Sequence, residues 1–395
     1  RELRENPCEL MHCLWITRQD PRSADSGDLI YTLGLLRALA RTSRAEITVL
    51  AHRGGGSSGE IDGIRWVLPA EVPGKSPLSL LSDLPSDAHR LGNPAMRHAL
   101  RKLLDEHEFD RVVIDQAACG WALDDLPDDL PVLYIAHNHE AVVRTEVAAS
   151  NDGSLPFRLA LKRDAANYAR LERRLCSVAD TITAITPRDE SNFRAEFPEK
   201  TYLELTPGYE GDIPANDPDP ITAETPRTVV LAGTFEWLAK RRNLESFLSA
   251  ADGCFPKAKI HFQVVGKSDP AYFESLAKRH PWAKFDANVP SMEPFLKDAR
   301  IGLIPEALGG GFKLKALDYI FRGLPLAAVE PALSGLPLTP GSGALAAATT
   351  EALAEAVCDR IDDLDFLNRA ASEALSHCRD AFHWQKRGEA LAKVL

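Results

Sequence analysis

The run IGLIPEALGGGFKLKALDYIFRGLPLAAVE, residues 301–330, reads as strand, loop, helix, stop and strand. IGLIPEA (301–307) is a short apolar strand, Gly309, Gly310 and Gly311 follow it, and KALDYIF places Asp318 one turn into a helix. Arg322 and Gly323 end that helix before PLAAVE (325–330) opens a second apolar strand. Strands that alternate with helices in this way imply a parallel sheet covered on both faces. A glycine loop at the head of such a helix presents free backbone N–H groups and the positive end of the helix dipole, which together favour a phosphate. Lys313 and Lys315 add positive charge where a diphosphate would lie. The dull alternative is a flexible loop carrying two solvated lysines.

Working outward, VVLAG (229–233), KIHFQVVG (259–266) and AKFDANV (283–289) are further strands, most of them separated by helical stretches. The amino-terminal half repeats the arrangement with HCLWIT (12–17), EITVLAH (46–52), RVVIDQ (111–116) and PVLYIAHN (131–138). Each is a continuous apolar run, as in strands buried on both faces. DLIYTLGLLRALARTS (28–43), AMRHALRKLLDEH (95–107) and PFRLALKRDAANYARLERRLCSVA (156–179) have helical spacing. Residues 206–228 are rich in Pro, Asp and Thr without periodicity and read as an interdomain linker. After residue 351 the chain is helical, with a break near Phe382. The expected class is α/β, two doubly wound Rossmann-like domains, which suits 395 residues better than a single core would.

A formal charge of −11 argues against nucleic acid as a partner and requires that charge for an anionic substrate be concentrated locally. Seven scattered cysteines without a C-x-x-C pair read as reduced thiols of a cytoplasmic protein. The first residues lack the apolar core of a signal peptide, and no apolar run approaches the ~18 residues that would cross a bilayer. RGGGSSGEIDG (53–63) follows a strand but leads into the strand-like IRWVLP, so no G-x-G-x-x-G bridges a strand and a helix and a nicotinamide dehydrogenase is disfavoured. The paired acids Asp124–Asp125, Asp128–Asp129 and Asp362–Asp363 fall in loop or helix, leaving no D-x-D-like cation site at a strand end.

KALDYIFRGLPLAAVE, VVLAGTFEWLAKRRNLESFLSAA (229–251) and YIAHNHEAVVR (134–144), in that order and spacing, resemble the family-4 glycosyltransferases of the GT-B fold. The resemblance spans nearly the whole chain. It implies a domain at 1–207 on the acceptor side, a nucleotide-sugar-binding domain at 208–377, and a last helix within 378–395 that returns to the first domain. Lys315 matches the family's basic residue and Asp318 its second acid, which usually holds the nucleotide ribose. This chain departs from the pattern in having Asp for Glu there, Gly310 where an earlier Glu usually touches the donor sugar, and Thr234 where many relatives have Arg.

The catalytic residues implied are His137, Lys240 and Lys315. Donor contacts fall on Gly27, Gly233, Thr234, Arg241, Arg242, Gly309, Gly310, Gly311, Phe312, Lys313, Leu314 and Asp318, and acceptor contacts on Asp25, Ser26, His139 and Glu140. Asp25 or Ser26 also reads as a plain helix cap, and Glu172, Asp180 and Thr186 as structural. Basic residues at the start of the helix carrying Lys240 oppose its dipole, which favours an anionic ligand there.

The expected activity is retaining, metal-independent transfer of a sugar from a nucleoside diphosphate sugar, as co-substrate, to a hydroxyl of a glycan or lipid-linked glycan in the cleft between the domains. Bacterial polysaccharide assembly is the setting the resemblance implies. No cofactor is expected. The rivals are a non-catalytic sugar-nucleotide or glycan-binding protein and a GT-B epimerase or phosphorylase. The basic helix with Arg158, Lys162, Arg163, Arg170, Arg173 and Arg174 is either a solvated face or a peripheral contact with anionic lipid at the inner face of the membrane.

Overall fold

The computed structural model describes residues 10–23, 26–74, 79, 82–151, 153–339 and 341–395. It divides into two units, one running to Gly208 and completed by His383–Leu395, the other Tyr209–Phe382.

The first unit holds the strands β1 (Met11–Ile16), β2 (Ala45–Leu50), β3 (Gly59–Ile61), β4 (Ile64–Val67), β5 (Arg111–Asp115), β6 (Val132–Ala136), β7 (Thr181–Ala184) and β8 (Thr201–Glu204). Its helices are α1 (Gly27–Arg41), α2 (Ser86–Leu91), α3 (Pro94–Glu106), α4 (Glu140–Ala149), α5 (Leu155–Val178) and α6 (Pro187–Glu196), with a 3₁₀ segment at Ala117–Asp124. The sheet runs β3-β4-β2-β1-β5-β6-β7-β8, parallel except for the β3–β4 hairpin. The central strands are buried because they are the apolar runs: Cys13 to Ile16, Val112 to Ile114 and Leu133 to Ile135 have no exposed surface. Helix starts are marked in the sequence. Asn93 accepts from the backbone N–H of Ala95 and Met96, and Thr186 exchanges hydrogen bonds with Asp189, each ahead of a proline in the first turn.

The second unit holds β9 (Thr228–Thr234), α7 (Leu238–Ala251), β10 (His261–Lys267), α8 (Pro270–Arg279), β11 (Ala283–Ala287), α9 (Glu293–Lys297), β12 (Ile301–Ile304), α10 (Lys315–Phe321), β13 (Leu326–Val329), β14 (Ala344–Ala347), α11 (Thr350–Arg360) and α12 (Leu364–Cys378). Its all-parallel sheet runs β11-β10-β9-β12-β13-β14. In each unit the chain reverses its direction of travel across the sheet at one central strand, β1 in the first and β9 in the second. Such switch points leave a crevice at the carboxyl ends of the strands.

The last helix, α13 (Trp384–Leu391), belongs to the first unit and lies on α1. Two glycines permit the approach: a β-carbon at Gly388 would overlap the Ala38 carbonyl, and one at Gly34 the Trp384 ring. The chain changes unit after Phe382 and not after His377 as expected, because the end of α12 and Phe382 pack into the second core. The supposed linker also needs correction. Residues 209–227 form no regular element, yet they are fastened to the second unit: Ile221 is buried in its core and exchanges two backbone hydrogen bonds with the Asn368 carboxamide, at 2.7 and 3.0 Å.

Candidate functional site

At the switch point of the second unit, β12 pairs with β9 only at Ile301–Val229 and Gly302–Val230. Beyond that the two strands part, and the Ala232 N–H donates to the Tyr319 hydroxyl at 2.8 Å. Tyr319 is a wedge. Its ring fills the space beside Gly302 where a side chain would overlap it.

Into the gap come Lys240 from the first turn of α7, Lys315 from the start of α10, and Glu306 two residues past β12. Both ammonium groups donate to one oxygen, Glu306 Oε1, at 3.0 Å for Lys240 and 2.5 Å for Lys315. Glu306 is 3% exposed, and its Oε2 is buried without a hydrogen-bond partner among the described residues. Burial alone would raise its pKa; Lys240, then Lys315 and Lys313, outweigh burial and hold the carboxyl far below the usual range. Burial pulls Lys315 down to about 8, against the support of Glu306 and with some help from Lys240. The Lys315 ammonium also lies against Gly233, at the end of β9. Asn243 pins the loop after Glu306 by a reciprocal pair of 2.9 Å hydrogen bonds with the Leu308 backbone.

The glycine loop is wound around its own lysine. Lys313, expected at the diphosphate, is buried and donates to the carbonyls of Gly309, Gly310 and Gly311 at 3.4, 2.7 and 3.2 Å. Gly309 and Gly311 have φ of +92° and +71°, which only glycine adopts without strain. Because peptides are trans, the N–H groups of Gly310, Gly311 and Phe312 point away from the lysine. None of the three has a hydrogen-bond partner among the described residues. Lys313 therefore shapes the loop, while Lys240 and Lys315 are the lysines gathered at Glu306.

Asp318 lines a pocket of about 220 Å³ together with Gly233, Met292, Leu296, Lys315 and Arg322. Burial raises its pKa, and Tyr209, donating at 3.2 Å, and Arg322 oppose the rise. Other expected donor contacts have different employment. Arg241 donates to the Phe235 carbonyl at 2.8 Å and stacks over Tyr272. Phe312 packs on Phe382, Leu314 caps α10, Thr234 ends β9, and Arg242 is half-buried on α7.

The first unit has its own carboxyl-edge cluster. Asp115, at the end of β5, has no exposed surface and accepts from His137 Nε2 at 2.6 Å, Thr32 Oγ1 at 2.7 Å and Trp15 Nε1 at 3.1 Å. The carboxylate commits the Nε2–H tautomer and leaves Nδ1 of the imidazole available. The Tyr31 ring sits edge-on to His137. Next in the chain, Gln116 has φ of +78°, an uncommon conformation for a residue with a β-carbon, and its carboxamide donates to Asp28 at 3.3 Å. Arg18 braces the same carboxylate at 2.5 Å and donates to Ser26 Oγ at 3.2 Å. Burial would raise the Asp28 pKa, but Arg18 and Ser26 hold it low.

Gly27 is the exposed first residue of α1, and the Ser26 side chain makes no capping bond to that helix; Asp25 lies outside the described residues. His139 and Glu140, expected to face an acceptor, are used inside the fold. His139 is buried against Phe193, its Nδ1 accepts from the Val142 N–H at the start of α4, and burial lowers its pKa. Glu140 accepts from Arg144 at 2.7 Å and Asn138 at 3.0 Å. Glu172 takes the Glu140 and Ala141 N–H groups, a structural capping role.

Residues 29–202 match the model of Glycosyltransferase Family 4. Two largely parallel sheets of this kind recur in solved glycosyltransferases over almost the full length of both chains. Sucrose-phosphate synthase from Thermosynechococcus elongatus superposes with a TM-score of 0.74 at 17% identity, covering 97% of this chain and 98% of that one. The chain has the GT-B fold of these enzymes. WaaG, a glycosyltransferase involved in lipopolysaccharide biosynthesis, gives 0.66 at 17% identity over 97% and 99% of the two chains. Anabaena HepE, solved with UDP-glucose, gives 0.61 at 13% over 97% and 99%. A sequence search of curated proteins returns no match.

Glu306, Asn243 and Asp115 are not among the site residues expected from the sequence. Glu306 and Asp115 each stand at or just past the carboxyl end of a buried strand, in IPEA and RVVIDQ, and that position is the available signal. Among the described residues no three His, Cys, Asp or Glu side chains gather to hold a metal, and no helix is long and apolar enough to cross a membrane.

Proposed function

We propose that the protein is a glycosyltransferase that moves a sugar, with retention at the anomeric carbon, from a nucleoside diphosphate sugar to a hydroxyl of a glycan or lipid-linked acceptor. The observation that carries this is the pair Lys240–Lys315 beside three outward N–H groups at the carboxyl edge of β9 and β12. As the bond from the anomeric carbon to the diphosphate breaks, its electron pair goes to a diphosphate oxygen. Fixed positive charge and N–H donors must meet it. Charge-assisted hydrogen bonds contribute about 1.5–3 kcal/mol each, and losing one preorganised donor costs roughly 10²–10³ in rate. Two lysines can supply this charge without a divalent cation. Met292 and Leu296 offer an apolar wall for a base, and Asp318 an acceptor for ribose hydroxyls. The UDP-glucose in the HepE complex supports the nucleoside diphosphate class, and the Family 4 match supports retention.

His137 is the acceptor-side candidate in the first unit, with Nδ1 turned to the hydroxyl while Asp115 holds Nε2. A lipid-linked acceptor would suit α5. Leu155, Phe157 and Leu159 in its first turns are 67, 48 and 58% exposed, among Arg158, Lys162 and Arg163 on an otherwise acidic protein. That pattern fits peripheral contact with an anionic cytoplasmic leaflet.

The test is a thermal-shift screen with UDP, GDP, TDP and ADP, each with and without Mg²⁺, on wild type and Lys315→Ala. A ligand at 100 times its Kd adds about 2.7 kcal/mol of stability. A shift with one nucleotide that ignores Mg²⁺ and disappears in the variant is expected. No shift with any nucleotide would overturn the donor site.

A further inference from the structure

Glu306 does something a structural carboxylate would not. Buried carboxylates normally satisfy both oxygens, whereas here two ammonium groups crowd onto Oε1 and Oε2 has no partner among the described residues. The reciprocal Asn243–Leu308 bonds fix the loop, so the group is held in the crevice. We propose that Glu306 is a resident counter-ion of the diphosphate site: it keeps Lys240 and Lys315 charged and in place while the site is empty, and opposes the diphosphate once bound, limiting how firmly a nucleoside diphosphate product is held. This rests on the donor-site reading above and adds a role for a residue outside the family resemblance.

The charge balance makes the case. Lys240, Lys315 and Glu306 together carry one net positive charge. The other charged groups nearby are accounted for: Lys313 is turned to the loop carbonyls, and Arg322 pairs with Glu293 of α9 at 3.6 Å. Asp318, one turn beyond Lys315 on α10, is held by the Tyr209 hydroxyl. Without the Glu306 charge, the buried Lys315 side chain, 13% exposed, would face Lys240 with no compensating anion. Glu306 therefore has two opposed effects on an incoming diphosphate. It repels the ligand, and it keeps one of the ligand's cations protonated. The first effect is independent of pH; the second grows as pH rises from the lower pKa Lys315 would have without Glu306, and levels off above 8, the value Lys315 has with Glu306 in place.

The experiment is calorimetric titration of wild type, Glu306→Gln and Lys240→Gln with UDP and with inorganic pyrophosphate at pH 6, 7, 8 and 9. The ratio of variant to wild-type Kd at each pH cancels the ligand's own ionisation. For Glu306→Gln the ratio should lie below one at pH 6, because a repelling charge is gone. It should climb about tenfold or more by pH 9, because an opposite charge in contact moves a pKa by about one to three units and each unit is tenfold. Lys240→Gln, on the half-exposed member of the trio, should weaken binding at pH 6 but push the alkaline fall to higher pH, since Lys240 depresses Lys315. That variant decides the matter if Glu306→Gln does not fold. A ratio flat in pH for both variants would overturn the counter-ion role while leaving the donor site standing. If wild type binds neither probe, the donor-site reading fails and takes this inference with it.

Discussion

Replacing Asp115 by Asn tests whether the proposed transfer uses His137 through a fixed tautomer. In the native protein Oδ2 accepts from Thr32 and Trp15, and Oδ1 from His137. An Asn of the same shape can keep its carbonyl oxygen on Thr32 and Trp15, but then its NH₂ faces Nε2. The imidazole must move its proton from Nε2 to Nδ1, turning the free face from acceptor to donor. Three hydrogen bonds to a carboxylate become neutral ones, a loss of about 0.5–1.5 kcal/mol each by the difference between charged and neutral bonds. The fold should thus lose roughly 2–4 kcal/mol and survive. Activity should suffer more: the same swap in an Asp–His pair that works through its tautomer costs about 10⁴ in kcat, and here a loss of about 10² or more is expected. Two readouts are needed. Proton–nitrogen correlation spectra of the imidazoles, with His137→Gln to assign the signal, should show Nε2–H in wild type and Nδ1–H in the variant. Release of nucleoside diphosphate from the donor should fall with the donor KM little changed. If the tautomer inverts and turnover does not fall, Asp115 is a core residue and His137 is not used through Nδ1.

Other outcomes follow from single contacts. Tyr319→Phe leaves the Ala232 N–H unpaired in the second core and should cost about 1–3 kcal/mol in urea unfolding; an unchanged midpoint would mean that water or strand movement replaces the hydroxyl. Gly388→Ala forces α13 off the Ala38 carbonyl and should lower stability by about 1–3 kcal/mol in the same assay, because the clash is with backbone and no rotamer change relieves it; a stability equal to wild type would mean that α13 slides on α1 without loss. Charging the exposed tip of α5 with Leu155→Glu, Phe157→Glu and Leu159→Glu should abolish sedimentation with phosphatidylglycerol vesicles and leave nucleotide binding intact; equal sedimentation would remove the membrane contact.

The sheets are legible because parallel strands buried on both faces must be continuous apolar runs, and the helices between them begin at recognisable caps. β14 is not, since ALAA among more alanines carries no strand signature. Nor could composition show that Pro- and Asp-rich residues 209–227 are tied down, because the tie is a carboxamide 147 residues away. Lys240 stands out as a cation where a helix dipole disfavours it, and Lys315 as a second one beside a glycine loop. The carboxylates that organise the two crevices do not, because their meaning lies in partners: Asp115 meets Trp15 across 100 residues, and Glu306 meets Lys240 across 66. Arg241, Lys313 and His139 show the converse, each turned to a backbone group of the fold. A basic or imidazole side chain near a site reads as a ligand contact until the backbone group it satisfies is seen.

The placement of α13 delays completion of the first unit during synthesis. That unit is interrupted by the whole of the second, residues 209–382, whose two ends meet where the Tyr209 N–H donates to the Phe382 carbonyl. A ribosome adding about 5–20 residues per second takes about 9–35 s to make that insert. For that interval the apolar back of α1 that will receive Trp384 and Gly388 is uncovered, and a nascent chain holding it open is a natural client for a chaperone.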